Sequence, residues 1–451
     1  MAPLQGSHNL KTGKRRCRLD SCKAADVFGI RMVFMTPEST PFFQLCGGAM
    51  QRQTNDAITP LFDSYFLGGF ECSSHRRRDG RRLDLLRDTQ HDVFAAQDYR
   101  AMVEQGIQTV RDGIRWHLAE PAPGVYDWSG FLPVLRAARE AGVQPVWDVC
   151  HYGWPDDLDI WSPAFVTRFA RFAAALAALM RDEWPEVPYY CPVNEISFWA
   201  WAGGDTGDIA PCQRRRGMEL KCQLVRATVA AIQAIRDIDP RARFVSVDPV
   251  INIVPKNVRQ ERRAENARLA QYQAWDMITG RLMPELGGKP DLLDIVGVNF
   301  YSHNQWYLNG PTIRRGEPLY RPLRDILAET YHRYQRPLFI AETGAEGEHR
   351  VSWLRYVCDE VAGALDIGVP VGGICLYPIT DYPGWDNHRH CPTGMLGFAD
   401  EAGRRPVHEE LAAEVLRQSD RFERRLVPAE TALLGASGGQ LSEACAVPDA
   451  V

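Results

Sequence analysis

Two short phrases place a glutamate where an apolar, strand-like run gives out: Pro192-Val193-Asn194-Glu195 and Phe339-Ile340-Ala341-Glu342-Thr343-Gly344. A carboxylate at the mouth of a buried strand is costly to desolvate unless it is paired or hydrogen-bonded. Two such groups, one protonated and one ionised, are what glycosidic bond cleavage requires: an acid for the departing oxygen and a nucleophile for the anomeric carbon. Residue type and position therefore predict Glu195 as acid/base and Glu342 as nucleophile. The plainer readings are a glutamate capping the helix that begins at Ile196 and a salt-bridged glutamate beneath a loop.

Elements able to hold these groups alternate along the chain. Strand-like runs are expected at residues 65–70, 108–114, 144–149, 188–193, 243–247, 293–299, 337–341 and 372–376. Amphipathic helical patterns lie between them, at 93–106, 131–142, 163–181, 214–238, 262–280, 323–333 and 352–368. Several end on a glycine, a usual helix stop (Gly106, Gly142, Gly368). Near-continuous apolar strands separated by helices imply parallel strands covered on both sides. Eight such units predict an α/β fold, a (β/α)8 TIM barrel with elaborated loops. The rival is an open doubly wound sheet, but no Gly-x-Gly-x-x-Gly follows the first strand.

In such a barrel the chemistry sits at the C-terminal ends of the strands. Those ends carry Glu71, Arg111, His151, Asn194-Glu195, Asp248, Asn299 with Tyr301, Glu342, and Tyr377 with Asp381 and Trp385. Polar groups recurring at one depth of nearly every strand are a stronger signal than any one of them.

These phrases resemble a known family. Asn-Glu ending a fourth strand and Glu ending a seventh resemble the clan of retaining (β/α)8 glycoside hydrolases, and the local phrases are most similar to the family 1 β-glycosidases. Tyr190-Cys191-Pro192-Val193-Asn194-Glu195 is similar to that family's acid/base strand, and Ile340-Ala341-Glu342-Thr343-Gly344 to its nucleophile phrase. Val298-Asn299-Phe300-Tyr301 and His151-Tyr152-Gly153-Trp154-Pro155 resemble its Asn-Tyr-Tyr strand and its His-Trp-Asp-Leu-Pro turn. The likeness runs from about residue 65 to residue 412. Two departures stand out. Ser74-His75-Arg76-Arg77-Arg78 occupies the stretch where the family has a sugar-gripping Gln, and Gly384-Trp385 replaces its Glu-Trp.

The resemblance implies a β-glucosidase-like hydrolase of carbohydrate metabolism. Arg111 is then the cation that keeps Glu342 ionised, and Tyr301 a hydrogen-bond donor to it. Asn194 would contact the sugar 2-hydroxyl, His151 a ring hydroxyl, and Asn299 would join the substrate-binding set. Trp385 and Trp154 are candidate stacking platforms, with core packing as the alternative. Asp381 would hold loop eight or touch a hydroxyl. Transglycosylation through the same two glutamates, and a catalytically silent carbohydrate-binding barrel, remain the competing functions.

The rest of the sequence sets bounds. A net charge of −5 gives no global field for nucleic acid or an anionic membrane. No stretch is expected to reach the roughly 20 apolar residues that span a bilayer. The twelve cysteines form no Cys-x-x-Cys pair and fall largely in apolar runs, so buried free thiols and a cytoplasmic location are expected. Adjacent side chains of a strand point oppositely, which argues against Cys150-His151 as a ligand pair. His388, His390 and Cys391 lack an evident fourth ligand. No metal and no cofactor are expected, and the partner is a small-molecule glycoside or oligosaccharide. The arginines from Arg76 to Arg82 are either a solvated face or a reader of an anionic sugar. Residues 1–60 are expected to be a poorly ordered extension, 61–426 the barrel and 427–451 a tail.

Overall fold

The apolar runs become strands because each can bury both faces, one against the barrel interior and one against the surrounding helices. The computed structural model describes residues 61–387 and 389–426. The extension expected over 1–60, the tail over 427–451 and His388 lie outside the described residues. Eight barrel strands follow in order: β1 Phe66–Gly69, β2 Thr109–Gly113, β3 Gln144–Asp148, β4 Tyr189–Cys191, β5 Arg243–Pro249, β6 Ile295–Asn299, β7 Leu338–Thr343 and β8 Val371–Leu376. Each pairs in parallel with its sequence neighbours, and β8 returns to β1 to close the ring. All eight coincide with expected runs.

Alternation along each strand fixes what faces inward. Leu67, Val146, Cys191, Val247, Ile295, Ala341 and Cys375 fill the interior, with Phe62 plugging the lower end against Phe339 and Tyr189 (ring centroids 5.0 and 5.6 Å). Gly297 is required there: a Cβ would stand 2.8 Å from both the Ala341 methyl and a Val247 methyl. Above this packed layer the inward positions turn polar, and the site begins.

Outward positions meet the helices. Helix Pro163–Glu183 buries Phe165, Phe169, Phe172 and Leu176, a stripe at helical spacing, and packs against helix Gly217–Ile238. One expectation is corrected by this helix, which is long and apolar enough to cross a membrane by length and composition. Its buried aromatic stripe is nonetheless that of a helix covering the barrel. The helix expected over 262–280 is broken into Glu261–Leu269, a 3-10 turn Ala270–Tyr272 and Gln273–Ile278. Gln271 sits at the break, its amide accepting from Ile251 N (2.8 Å) and donating to Ile251 O (3.1 Å). A final helix, Glu409–Leu426, was not anticipated; its Phe422 stacks on Tyr65 at 4.3 Å beneath β1.

The outer face of β2 is anchored by a fully buried ionic cluster. His91 Nε2 lies 2.8 Å from Asp112 and its Nδ1 2.7 Å from Asp98. Tyr99 donates to Asp112, and Arg405 donates twice to Asp98 at 2.6 and 2.9 Å. Burial alone would lower the His91 pKa, yet the two aspartates overcome it and raise the group to about 9.

Candidate active site

Arg111 is the inward neighbour of Asp112 on β2, and it organises the polar layer. The guanidinium is wholly buried. One nitrogen donates to Glu342 Oε1 (3.1 Å) and to the Ala341 carbonyl (2.9 Å). The other donates to both Asp148 oxygens (3.0 and 2.7 Å) and to Asn194 Oδ1 (3.0 Å). A single cation thus ties β2 to β3, β4 and β7, where its planar fork suits several acceptors at once.

Glu342 ends β7 and takes a second hydrogen bond from Tyr301 Oη at 3.0 Å. Burial, the largest influence, raises its pKa, while Arg111 pulls it back. The expected low pKa is therefore not what the geometry yields: the carboxyl is raised, with the cation limiting the rise. Glu195 follows β4 in a left-handed conformation (φ 46°, ψ 59°). It makes no capping bond to the helix Ile196–Trp199. Its carboxyl instead accepts from Asn299 Nδ2 (2.8 Å) and from the Tyr152 hydroxyl. Burial and then the negative charge of Glu342 push Glu195 up to about 8, moderated by the two donors. Of two carboxyls sharing one site, the one beside the arginine ionises first and the other keeps the proton.

Asn194 and Asn299 are fully buried and lie in the layer beneath the cavity. Arg111 occupies Asn194 Oδ1, so Nδ2 faces His151 Nε2 (3.0 Å) and Tyr152 Oη (3.1 Å). His151 then accepts at Nε2 and donates from Nδ1 to Asp148 (2.9 Å). Asn194 positions His151 and Tyr152 here, in place of the direct sugar contact expected of it. Asp248 at the end of β5 accepts from Ser197 N and Oγ (both 2.9 Å), fixing the turn just beyond Glu195.

A cavity of about 3300 Å³ opens over this layer. Glu71, His151, Tyr152, Glu195, Tyr301, Glu342 and Trp385 line it, so both glutamates meet the same space. Half-buried Trp385 is held edge-on by His75 at 4.8 Å. Trp154 is not among the lining residues; its indole donates to Leu158 O (2.8 Å) and packs against Trp199, which corrects the stacking role considered for it. Asp381 holds loop eight, accepting from Gly394 N and His390 at 2.9 Å each.

The basic run is also not a reader of the sugar. Arg76 and Arg82 both pair with Asp156, Arg77 pairs with Asp79 at 2.8 Å, and no arginine from 76 to 82 lines the cavity. From the first strand it is Glu71 that reaches the cavity, rather than the 74–78 stretch aligned with the family's Gln. Its Oε1 accepts from Ser73 N at 3.0 Å. Cys72, Asp148 and His151 cluster closely enough to suggest metal ligands. Their contacts of 2.9 and 3.1 Å are hydrogen-bonding distances, and Arg111 already supplies the cation facing Asp148.

Tyr152 and Asp148 were missed from sequence. Asp148 pairs in register with Gly113, two residues beyond Arg111, so strand alternation points it inward on the same side as Arg111. Tyr152 reaches Glu195 through a left-handed backbone (φ 66°), which a tyrosine does not advertise in sequence.

Fold and cavity together define the (β/α)8 barrel class. No protein-family model and no curated protein matches the sequence. Among solved structures, the chain is similar to a family 1 β-glucosidase from Thermotoga maritima, with a TM-score of 0.64 and 16% identity over 81% of this chain and 99% of that one. It is likewise similar to the Thermotoga maritima β-glucosidase in complex with castanospermine (TM-score 0.65, 16% identity, 82% and 100% covered) and with glucoimidazole (0.65, 17%, 81% and 99%). At these identities the likeness establishes the fold.

Proposed function

We propose that this protein is a retaining β-glycosidase acting on a small-molecule glycoside or oligosaccharide. One observation carries the reading: half-buried Glu195 and buried Glu342 line one cavity, and only Glu342 has an arginine against it. Glu342 attacks the anomeric carbon while Glu195 passes its proton to the leaving oxygen, whose bond to carbon breaks. Glu195 then takes a proton from water, which displaces Glu342 and returns the sugar with its original β configuration. Tyr301 and Arg111 orient the nucleophile, Tyr152 and Asn299 the acid, and Trp385 offers a face to the sugar. The solved β-glucosidases of the same fold support this reading, as do the eight described cysteines, all free, for a cytoplasmic protein.

The test is the Glu342→Gly variant on aryl β-glycosides. Turnover should vanish and return with added azide, giving the α-glycosyl azide; undiminished hydrolysis without azide refutes the assignment. A second reading, transfer of the sugar to an acceptor alcohol, is favoured by Phe198, Trp201 and Trp306 along the same cavity. Product analysis with and without added alcohol separates the two, since transfer requires an alkyl glycoside to form at the expense of free sugar.

A further inference from the structure

Charge is distributed unevenly around the cavity. The strand ends that hold the catalytic glutamates also present Glu71, and the guanidinium inside that layer, Arg111, is taken up by Glu342 and Asp148. An anionic sugar would meet carboxylates there. The opposite condition holds on the segments that follow β4, β5 and β6. Arg214 and Arg215 come from the first, Arg263 from the second, and Arg314 and Arg315 from the third, and all five line the same cavity.

All five are exposed, and none has a carboxylate partner within 4 Å among the described residues. Arg315 leans over the Tyr356 ring at 4.8 Å, and the other four guanidiniums make no hydrogen bond among the described residues. Three acids on this side are already engaged: Asp205 accepts from Gly217 N (2.8 Å), Asp276 is held by Arg333 at 2.5 Å, and Glu317 accepts from Arg314 N (3.1 Å). Elsewhere on this surface arginines are usually neutralised, as Arg76, Arg82, Arg236 and Arg268 are. Five unneutralised arginines that line one cavity from three separate segments supply the forked donors that capture an oxyanion.

We propose that the β4–β6 wall is a subsite for an anionic leaving group, so that the substrate is a glycoside with an uncharged sugar and a carboxylate-, sulfate- or phosphate-bearing aglycone. This rests on the glycosidase reading for the position of the sugar, but the anion site itself does not. The charge pattern also fixes direction: the negative end of the substrate points away from Glu195 and Glu342.

The experiment uses hydrolysis-resistant probes, 4-carboxyphenyl and 4-carbamoylphenyl 1-thio-β-D-glucosides and the matching galactosides, with binding measured by calorimetry on the full chain. These differ in charge and hardly in shape. The carboxylate should bind about tenfold more tightly at low salt, the sum of several exposed charge contacts. That preference should collapse between about 20 mM and about 0.5 M sodium chloride. It should shrink in the double variant Arg263→Ala/Arg314→Ala and recover partly in Arg263→Lys/Arg314→Lys, which keeps the charge. Equal affinity for the two probes, no binding of either, or a preference indifferent to salt and to both variants overturns the proposal. The O-linked counterparts report on the catalytic reading separately: a carboxylate preference without cleavage leaves the anion site standing and removes the hydrolase, whereas cleavage of both at equal efficiency does the reverse.

Discussion

Asn299 pairs in register with Glu342 across β6 and β7, and its side chain donates to Glu195 at 2.8 Å. One residue therefore stands beside the proposed nucleophile by backbone and holds the proposed acid by side chain. The two glutamates are coupled by hydrogen-bonded scaffolding as well as by charge.

That coupling sets the pH profile. Glu195 must be protonated to serve as acid, and with its pKa at about 8 it remains so through neutrality. Its activity as an acid falls as pH rises through that value. On the acid side Glu342 must lose its proton, and its raised pKa moves that limb above the ordinary carboxylate range. The expected kcat/KM profile is a bell with its alkaline limb near pH 8, the two limbs belonging to the pair. A profile still rising at pH 9 would show that Glu195 is not the acid.

Tyr152→Phe removes one of the two donors that favour ionised Glu195. The alkaline limb should move to higher pH and kcat should fall by about tenfold or more, because the acid loses its orientation. Unchanged limbs in a folded variant would reduce Tyr152 to a wall of the cavity.

Glu195→Gln separates acid catalysis from nucleophilic attack. Hydrolysis of alkyl glycosides should drop about 10²–10⁴-fold, the usual span for a lost general acid. Formation of the covalent intermediate from a 2,4-dinitrophenyl glycoside, whose leaving group needs no proton, should change little. Equal losses on both substrate classes contradict the role.

Arg111→Met leaves Asp148 and Glu342 buried together without their cation. Breaking such a buried pair costs about 3–5 kcal/mol of stability, readable as a lowered urea midpoint. Activity should fall with it, and should fall further at pH values where Glu342 now holds its proton. A variant as stable as the parent would mean that water reaches this layer freely.

His91 makes a pH-dependent contribution to folding. Its folded pKa, about 9, lies above the ordinary 6.5, so the folded chain holds that proton more tightly than the unfolded one. The resulting stability is complete below pH 6.5 and is lost as pH rises toward 9. Urea unfolding between pH 6.5 and 9.5 should show this decline, and His91→Phe should abolish that part of the slope. An identical slope in both proteins would assign the decline to other groups.

Much of the fold was legible because burial on two faces writes itself as unbroken apolar runs, and Glu195 and Glu342 interrupt those runs conspicuously. Strand-end position singled out Arg111 and Tyr301, the family resemblance lent them their roles, and the structure gives both to Glu342. What stayed hidden depended on long-range placement. Nothing local distinguishes Arg76, taken up by Asp156, from Arg263, which has no carboxylate within 4 Å among the described residues. Asn194 looks like a substrate contact until Arg111 is seen to occupy its oxygen. Trp154 and Trp385 are alike as residues and differ only in which way their loops turn.

The left-handed backbone at Glu195 carries a last consequence. Side chains resist that conformation and glycine does not, so the residue that donates the proton is also one the backbone would sooner be without. A catalytically dead Glu195→Gly chain, relieved of both the twist and a half-buried carboxyl beside Glu342, should outlast the working protein on heating. Robustness and reactivity are set against each other at a single α-carbon.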